Sequence, residues 1–194
     1  MPKIPRPQMS DETPTQQSTP QSGFVFVDKP SGWTSHDVVA RLRRVLGTRK
    51  VGHSGTLDPL ATGLLIVGVN RSTKLLGYIS GLDKTYESTI VLGVSTHSDD
   101  ADGEVTAQAD ASAVTLADVE RVLATMVGEI DQQPSAVSAI KIDGKRAHAR
   151  VRDGEDVELP SRRVTIKSLE VLEFIAGEQA TVRVRIDCSS GTYV

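Results

Sequence analysis

The feature that most constrains this chain is the stretch from Val51 to Val69, which reads VGHSGTLDPLATGLLIVGV. It joins a polar loop rich in glycine to an apolar run. Gly52 and Gly55 permit backbone angles that other residues avoid, and Pro59 holds the residue before it near an extended conformation. The pattern therefore predicts that Asp58 is presented by a stiff turn.

The local pattern leaves two interpretations of Asp58 open. An aspartate before proline, among glycine, serine and threonine, is typical of an ordinary capped turn. The run Leu64–Val69 instead predicts a buried strand that anchors the loop in a core, with Leu57 and Leu60 adding apolar surface around the aspartate. Such an anchor suits a carboxylate that must be held in position.

Composition sets the class of protein. The chain has 194 residues, of which 38% are hydrophobic and 24% charged, which is typical of one substantial globular core. Its single cysteine, Cys188, provides neither a disulfide framework nor a cysteine-based zinc site, and we expect it to be buried in a strand. There is no secretory signal and no apolar run of the ~20 residues that a membrane helix needs, so we expect a cytoplasmic protein without a membrane partner.

The net charge of -3 conceals an uneven distribution. Residues 41–50 carry five Lys and Arg and no acid, and residues 141–152 carry five against one acid. Two basic stretches in an otherwise acidic chain fit a localised phosphate-binding face. A solvated helix face and a surface loop are the alternative.

Pattern and turn signals predict the order of elements. Residues 1–22 are rich in Pro, Ser, Thr and Gln and predict a disordered leader. Ser35 is the expected N-cap of the first helix, with Asp37 in its first turn. An acidic turn is expected at 98–104, and Thr115 is the expected cap of a helix with inward Leu116, Val119, Val122, Leu123 and Met126. The expected strands are 24–28, 64–69, 84–93, 163–174 and 180–189, and the expected helices are 35–46, 72–79 and 116–127.

The loop GHSGTLDPLATGLL closely resembles the signature loop of the TruB family of tRNA pseudouridine synthases. The resemblance implies that Asp58 is the catalytic residue and that His53 occupies the space left by the extruded base. The opening segment FVFVDKPSGWTSHDVV also resembles that family. It places Lys29 beside the site, where it either contacts substrate phosphate or supports the fold.

Two further motifs of the family follow in order. KTYESTIVLGVST resembles the second motif and places Tyr86 against the target uridine. CSSGTYV resembles the third motif, in which Tyr193 would lie against the flipped base. The family has an arginine after that tyrosine and the next apolar residue, and the chain stops at Val194. We therefore expect a fragment that is poorly active or inactive.

Residues 128–154 resemble the RNA-gripping thumb of stand-alone bacterial TruB enzymes. Val137 and His148 stand where many members have tyrosine. Thumb residues grip backbone rather than read sequence. The implied phosphate contacts are Lys141, Lys145, Arg146 and Arg150.

The resemblance implies a mixed α/β (α+β) fold with a largely antiparallel sheet and flanking helices. Residues 23–194 would form a pseudouridine synthase catalytic domain whose C-terminal part is missing. The implied reaction converts uridine 55 of the tRNA T loop to pseudouridine without cofactor or metal, and we expect a monomer that binds the T arm. An RNA-binding module without turnover is one alternative. A guide-RNA-dependent synthase subunit is another, against which the thumb segment argues.

Overall fold

The computed structural model describes residues 21–101, 103–133 and 160–194, together with the backbone of two short strands within 141–146. The chain divides into two compact units, Met1–Ser80 and Gly81–Val194. Apart from its last two residues, the predicted leader lies outside the described residues. No helix in the described ranges is long and apolar enough to cross a membrane.

The first unit is built on a three-stranded antiparallel sheet, in the order β1-β3-β2. One helix lies between β1 and β2 in the chain, and a 3-10 helix and a short α-helix follow β3. The elements are β1 (Gly23–Lys29), α1 (Ser35–Val45), β2 (Val51–His53), β3 (Gly63–Val69), the 3-10 helix (Asn70–Leu75) and α2 (Leu76–Ser80).

The core of this unit lies on one face of the sheet. Leu65 and Val67 of β3 are buried in one cluster with Val38 and Val39 of α1. Successive side chains of a strand point to opposite faces of the sheet. Leu64 therefore lies on the face opposite to Leu65 and is 63% exposed. The expectation of a strand buried from Leu64 onward is therefore wrong at its first residue.

The cap of α1 is Thr34 and not Ser35. The Thr34 hydroxyl accepts a hydrogen bond from the backbone of Asp37, whose side chain in turn accepts one from the Thr34 backbone. This reciprocal capping box needs the acid three positions after the cap, with two residues between them, and this spacing from Asp37 fits Thr34 and not Ser35. Ser35 becomes the first helical residue and is 1% exposed.

The segment after β3 packs closely on the sheet. The helix predicted over 72–79 is instead the 3-10 helix from Asn70 followed by α2. A Cβ on Gly68 would lie 3.1 Å from Leu76 Cγ, and one on Gly52 would lie 3.3 Å from Leu76 Cδ1. Glycine at position 52 was predicted to permit unusual backbone angles, and the structure corrects this, because close packing is what requires it. Gly55 does have such an angle, with a positive φ of +96°.

The second unit contains a four-stranded antiparallel sheet, in the order β4-β11-β10-β7. Its long central hairpin confirms the predicted strand pair. Buried Val182, Val184, Ile186 and Cys188 of β11 form the core with Ile166 of the neighbouring strand. The elements are β4 (Lys84–Val91), β5 (Val94–Thr96), β6 (Val105–Gln108), α3 (Leu116–Ala124), β7 (Gly128–Gln132), β10 (Arg162–Ile175) and β11 (Thr181–Cys188).

Helix α3 covers this sheet through a narrow stripe. Thr115 caps it as predicted, and Val119 and Leu123 are buried against the sheet core. The helix ends at Ala124, before the predicted residue 127. The other three residues expected to face inward are between 41% and 45% exposed: Leu116, Val122 and Met126.

The structure describes only part of the predicted thumb. Its first five residues form β7, which pairs with β10 in the main sheet. Two strands of two residues each then pair antiparallel, β8 (Lys141–Ile142) with β9 (Lys145–Arg146). The side chains of those four residues, and Val137, His148 and Arg150, lie outside the described residues.

Candidate active site

Asp58 lies in the loop that joins β2 to β3 in the first unit, and it is exposed. The residue before it, Leu57, is half-buried and packs against the core of this unit. Leu60, on the other side, is 44% exposed. One apolar anchor therefore precedes the carboxylate directly.

Lys29 ends β1 with its side chain fully buried at 0% exposure. Its Nζ donates to three carbonyl oxygens, those of Trp33 at 2.6 Å, Pro30 at 3.1 Å and Pro59 at 3.1 Å. An ammonium group has three donors, and all three are used. The predicted substrate contact is therefore corrected: of the two roles left open, Lys29 supports the fold.

Ser35 holds the loop from the other side. Its hydroxyl accepts a hydrogen bond from the Leu57 backbone N–H at 2.9 Å and donates to the Leu57 carbonyl at 3.2 Å. A serine hydroxyl has one donor and two acceptor positions, so a single side chain satisfies both backbone groups of Leu57. Sequence reasoning missed this contact, because the two residues are 22 positions apart.

Together these contacts fix the backbone on both sides of Asp58. Leu57 is held by Ser35, and the carbonyl of Pro59 accepts from Lys29 and from the Gly32 N–H at 2.8 Å. The stretch from Lys29, at the end of β1, to Ser35, at the start of α1, therefore holds the residue before and the residue after the aspartate. We call this set of contacts the loop clamp.

His53 ends β2 at the start of the same loop. Its Nδ1 lies 2.8 Å from the carbonyl oxygen of Gly55, so Nδ1 carries the hydrogen and donates it. The ring of His36 packs against the ring of His53 at 5.5 Å between centroids and 78° between planes. These two contacts orient the imidazole, and sequence reasoning did not single out His36.

Tyr86 lies in the second unit, on β4, where its register partner is Ile186 of β11. It is half-buried and packs against the core of that unit. The body of the ring is thus supported by the sheet, as expected for a tyrosine near the start of a strand.

Tyr193 also lies in the second unit, in the segment after β11, and is 38% exposed. The side-chain amide of Gln132 exchanges two hydrogen bonds with the Tyr193 backbone, accepting from its N–H at 2.8 Å and donating to its carbonyl at 2.7 Å. The guanidinium of Arg162 lies 5.2 Å from the ring centroid and donates to the Gly191 carbonyl at 3.4 Å. No pattern in the sequence predicts either of these two contacts.

The structure thus brings Lys29 and His53 to the Asp58 loop in the first unit and places both tyrosines in the second. That the tyrosines meet Asp58 around one base stays a prediction. Among the described residues, no group of three or more His, Cys, Asp or Glu could hold a metal ion.

Neither of the pKa shifts near the third motif indicates a further nucleophile. Burial raises the pKa of the Cys188 thiol, which therefore stays protonated at neutral pH. The Asp187 carboxylate accepts hydrogen bonds from Thr85 and Ser168, and these lower its pKa. Both groups are explained by packing and hydrogen bonding within the sheet.

The fold is that of a pseudouridine synthase catalytic domain. A solved Cbf5-Nop10-Gar1 complex contains a chain that is 28% identical, with a TM-score of 0.64 over 92% of this chain and 43% of that chain. An H/ACA RNP bound to a substrate RNA containing 2'-deoxyuridine gives 27% identity and a TM-score of 0.59, covering 88% of this chain and 39% of that chain. Both similarities span the two units described above.

The family follows from the sequence comparison. The profile of the TruB family pseudouridylate synthase (N terminal domain) matches residues 43–194, which is well over half of the chain. The chain belongs to the TruB family. The predicted fold class and family are thereby confirmed.

Curated relatives are named tRNA pseudouridine synthase B. The relative from Arthrobacter sp. (strain FB24) is 57% identical, with 89% of this chain and 58% of the relative covered. The relative from Corynebacterium jeikeium (strain K411) is 56% identical over 90% of this chain and 58% of the relative. The chain thus spans less than two thirds of the length of these relatives.

Proposed function

We propose that this chain is the catalytic part of an enzyme that isomerises uridine to pseudouridine at position 55 in the T loop of tRNA. The observation that carries the proposal is the loop clamp, which fixes the backbone on both sides of Asp58 within the family's signature loop. Relatives at 57% and 56% identity are named for this reaction on tRNA. The structural relatives from H/ACA complexes are only 27% to 28% identical, which favours tRNA over a guide-directed target.

The reaction breaks the N1–C1′ glycosidic bond, turns the uracil within the site and joins C5 to C1′. N1 gains a proton and C5 loses one, so no oxidant or co-reactant is consumed. The chemistry needs a fixed carboxylate beside the sugar, because C1′ becomes electron-poor when the bond breaks. Asp58 supplies that group, whether it attacks C1′, attacks the base or promotes a glycal-type elimination.

The base must leave the stack before it can react, at a cost of a few kcal/mol. We assign Tyr86 and Tyr193 as aromatic surfaces against the flipped uracil, since an extruded base is bound by stacking. His53 would stack in the space that the base leaves, with its ring oriented by Gly55 and His36.

The RNA backbone would be held by the basic part of the thumb. The four proposed phosphate contacts are Lys141, Lys145, Arg146 and Arg150. The proposed partner is the T arm of tRNA, and we propose a monomer that works in the cytoplasm.

The test is an assay of pseudouridine in a T-arm stem-loop RNA. Wild-type protein, Asp58→Asn and Asp28→Asn are compared, since Asp28 is an exposed aspartate of the same unit outside the loop. Each is made as the 194-residue chain and as a chimera with the rest of the Arthrobacter relative. We expect that Asp58→Asn abolishes product formation, that its RNA affinity stays within about threefold, and that Asp28→Asn retains activity.

Two outcomes would contradict the proposal. Substantial turnover by Asp58→Asn would remove this residue from the catalytic role. Binding of the stem-loop by both wild-type forms without any pseudouridine would instead support the RNA-binding module without turnover.

A further inference from the structure

Two histidines from different segments of the first unit lie against each other beside the Asp58 loop. His36 is the second residue of α1, and His53 is the last residue of β2. Their ring centroids are 5.5 Å apart and their planes meet at 78°, so the edge of one ring faces the π-surface of the other. Such an edge-to-face pair is attractive, because the hydrogens at a ring edge carry partial positive charge and the ring face is negative.

The backbone that carries His36 is fixed on both sides. Ser35, the residue before it, exchanges two hydrogen bonds with Leu57 of the loop. Asp37, the residue after it, forms the capping box with Thr34. The imidazole of His36 is exposed, so burial in a core does not explain where its ring lies. His36 is therefore an exposed ring on a rigid backbone.

The ring of His53 is held by two contacts of different kinds. The backbone beside it is fixed, since the N–H of Ser54 donates to the Ile66 carbonyl at 2.9 Å. The side chain still rotates about two bonds, and the hydrogen bond from Nδ1 to the Gly55 carbonyl fixes one atom of the ring. A ring held at one atom can still tilt, and the neighbouring ring of His36 restricts that tilt. The two contacts together fix the plane of the imidazole.

We propose that His36 is a positioning residue, which holds the plane of the His53 ring in the orientation that enters the space left by the extruded base. The inference rests on the proposed function, in which His53 stacks in that space. Base extrusion is unfavourable, and a side chain that becomes ordered in the same step makes it more so. Because the ring is ordered before RNA binds, a larger fraction of the bound RNA has its target base extruded.

The size of the effect follows from the entropy of one side chain. Immobilising one flexible side chain at an interface changes an equilibrium constant by about 2- to 10-fold. We expect loss of the His36 ring to lower kcat/KM within that range, since kcat/KM is proportional to the population of the extruded complex. His36 acts only through His53, so the effect should vanish when the ring of His53 is absent.

The test compares His36→Asn, which removes the ring, with the matched variant His36→Phe, which keeps an aromatic edge and face at the same position. Both are made in the chimera with the rest of the Arthrobacter relative, alone and together with His53→Ala. One measurement is kcat/KM for pseudouridine formation in a T-arm stem-loop. A second is the fluorescence of a 2-aminopurine placed next to the target uridine, which rises when its neighbour leaves the stack. Thermal unfolding gives the Tm of each variant.

We expect His36→Asn to lower both kcat/KM and the rise in fluorescence by about 2- to 10-fold, with Tm nearly unchanged. His36→Phe should keep both within about twofold of wild type. In protein that already carries His53→Ala, His36→Asn should cause no further loss, because the residue that it positions is gone.

The inference is overturned if His36→Asn leaves kcat/KM unchanged, or lowers it equally with and without the His53 ring. It is also overturned if His36→Phe loses as much as His36→Asn, or if the loss comes with a fall in Tm, which marks a merely structural role. The proposed function is judged separately, by whether the wild-type chimera forms pseudouridine. Wild-type product with independent losses at the two histidines contradicts only this inference, whereas coupled extrusion without any product contradicts only the isomerase.

Discussion

The hydroxyl oxygen of Ser35 lies 2.9 Å from the backbone nitrogen of Leu57 and 3.2 Å from its carbonyl oxygen. One buried side chain thus satisfies both backbone hydrogen-bonding groups of the residue before Asp58. Since Ser35 is the first residue of α1, any displacement of that helix end is transmitted directly to the loop. The contact makes Ser35 a positioning residue in the proposed reaction.

Replacing Ser35 by alanine, in the chimera with the rest of the Arthrobacter relative, should lower kcat and leave KM nearly unchanged. The loss leaves the Leu57 N–H unpaired, and a small displacement of a catalytic group costs up to about 100-fold in rate. We expect kcat to fall by about 10- to 100-fold on a T-arm stem-loop, with faster hydrogen exchange at the Leu57 amide. Ser31→Ala, at an exposed serine of the preceding turn, is the control. Faster exchange with unchanged kcat would show that the contact is structural only.

Replacing Lys29 by methionine should destabilise the protein without changing how RNA binding responds to salt. The variant leaves three carbonyl oxygens without their buried donor, so the free energy of unfolding should fall by about 2 kcal/mol or more. Urea denaturation gives the stability, and anisotropy gives the salt slope. Lys74→Met, at an exposed lysine of the same unit, is the control and should leave the free energy of unfolding nearly unchanged. A reduced salt slope for Lys29→Met would restore its phosphate-binding role.

Changing Gln132 to glutamate should weaken the hold on Tyr193. A carboxylate only accepts hydrogen bonds, so it can no longer donate to the Tyr193 carbonyl and is repelled by it. In the chimera with the rest of the Arthrobacter relative, we expect KM for RNA to rise by about 3- to 10-fold with little change in Tm. Gln108→Glu, at an exposed position of β6, is the control. Equal KM values for the two variants would exclude this role of Gln132.

The two capping boxes should make stability sensitive to acid. Hydrogen bonds from Thr34 lower the pKa of Asp37, and those from Thr115 lower the pKa of Asp118. The stability that they add is therefore complete above the ordinary value near 3.8 and is lost as the pH falls through the lower folded values. Thermal unfolding between pH 2 and 7 measures this. The double variant Asp37→Asn with Asp118→Asn should fall less steeply below pH 4, and an unchanged profile would contradict the assignment.

Local patterns predicted most of the elements, because strands and caps depend on near neighbours in sequence. The alternation in β10 and β11 and the Thr115 cap were read correctly. The choice of Ser35 over Thr34 failed because two adjacent hydroxyl residues both fit a cap, and only the spacing to Asp37 separates them. More residues of α3 were predicted to face inward than the structure buries, since the sequence does not say how much of a helix its sheet covers.

The candidate site was predictable only where a motif carried it. Asp58 and both tyrosines came from the family motifs, whereas the partners that fix them are distant in sequence. Gln132 meets Tyr193 across 61 positions, and Lys29 meets Pro59 across 30. Such pairings depend on tertiary packing, and a buried lysine looks like a solvated one until its neighbours are known.

Because Lys29 is buried, the chemical reactivity of its amine depends on how often the surrounding loop opens. An amine that donates all of its hydrogens to carbonyls, at 0% exposure, is hidden from reagents that acylate lysines. Its modification would require the segment around Asp58 to come apart transiently, so the rate of labelling at this one position would follow how often the loop opens. Bound RNA that holds the loop closed would then slow the labelling, giving a chemical footprint of substrate engagement.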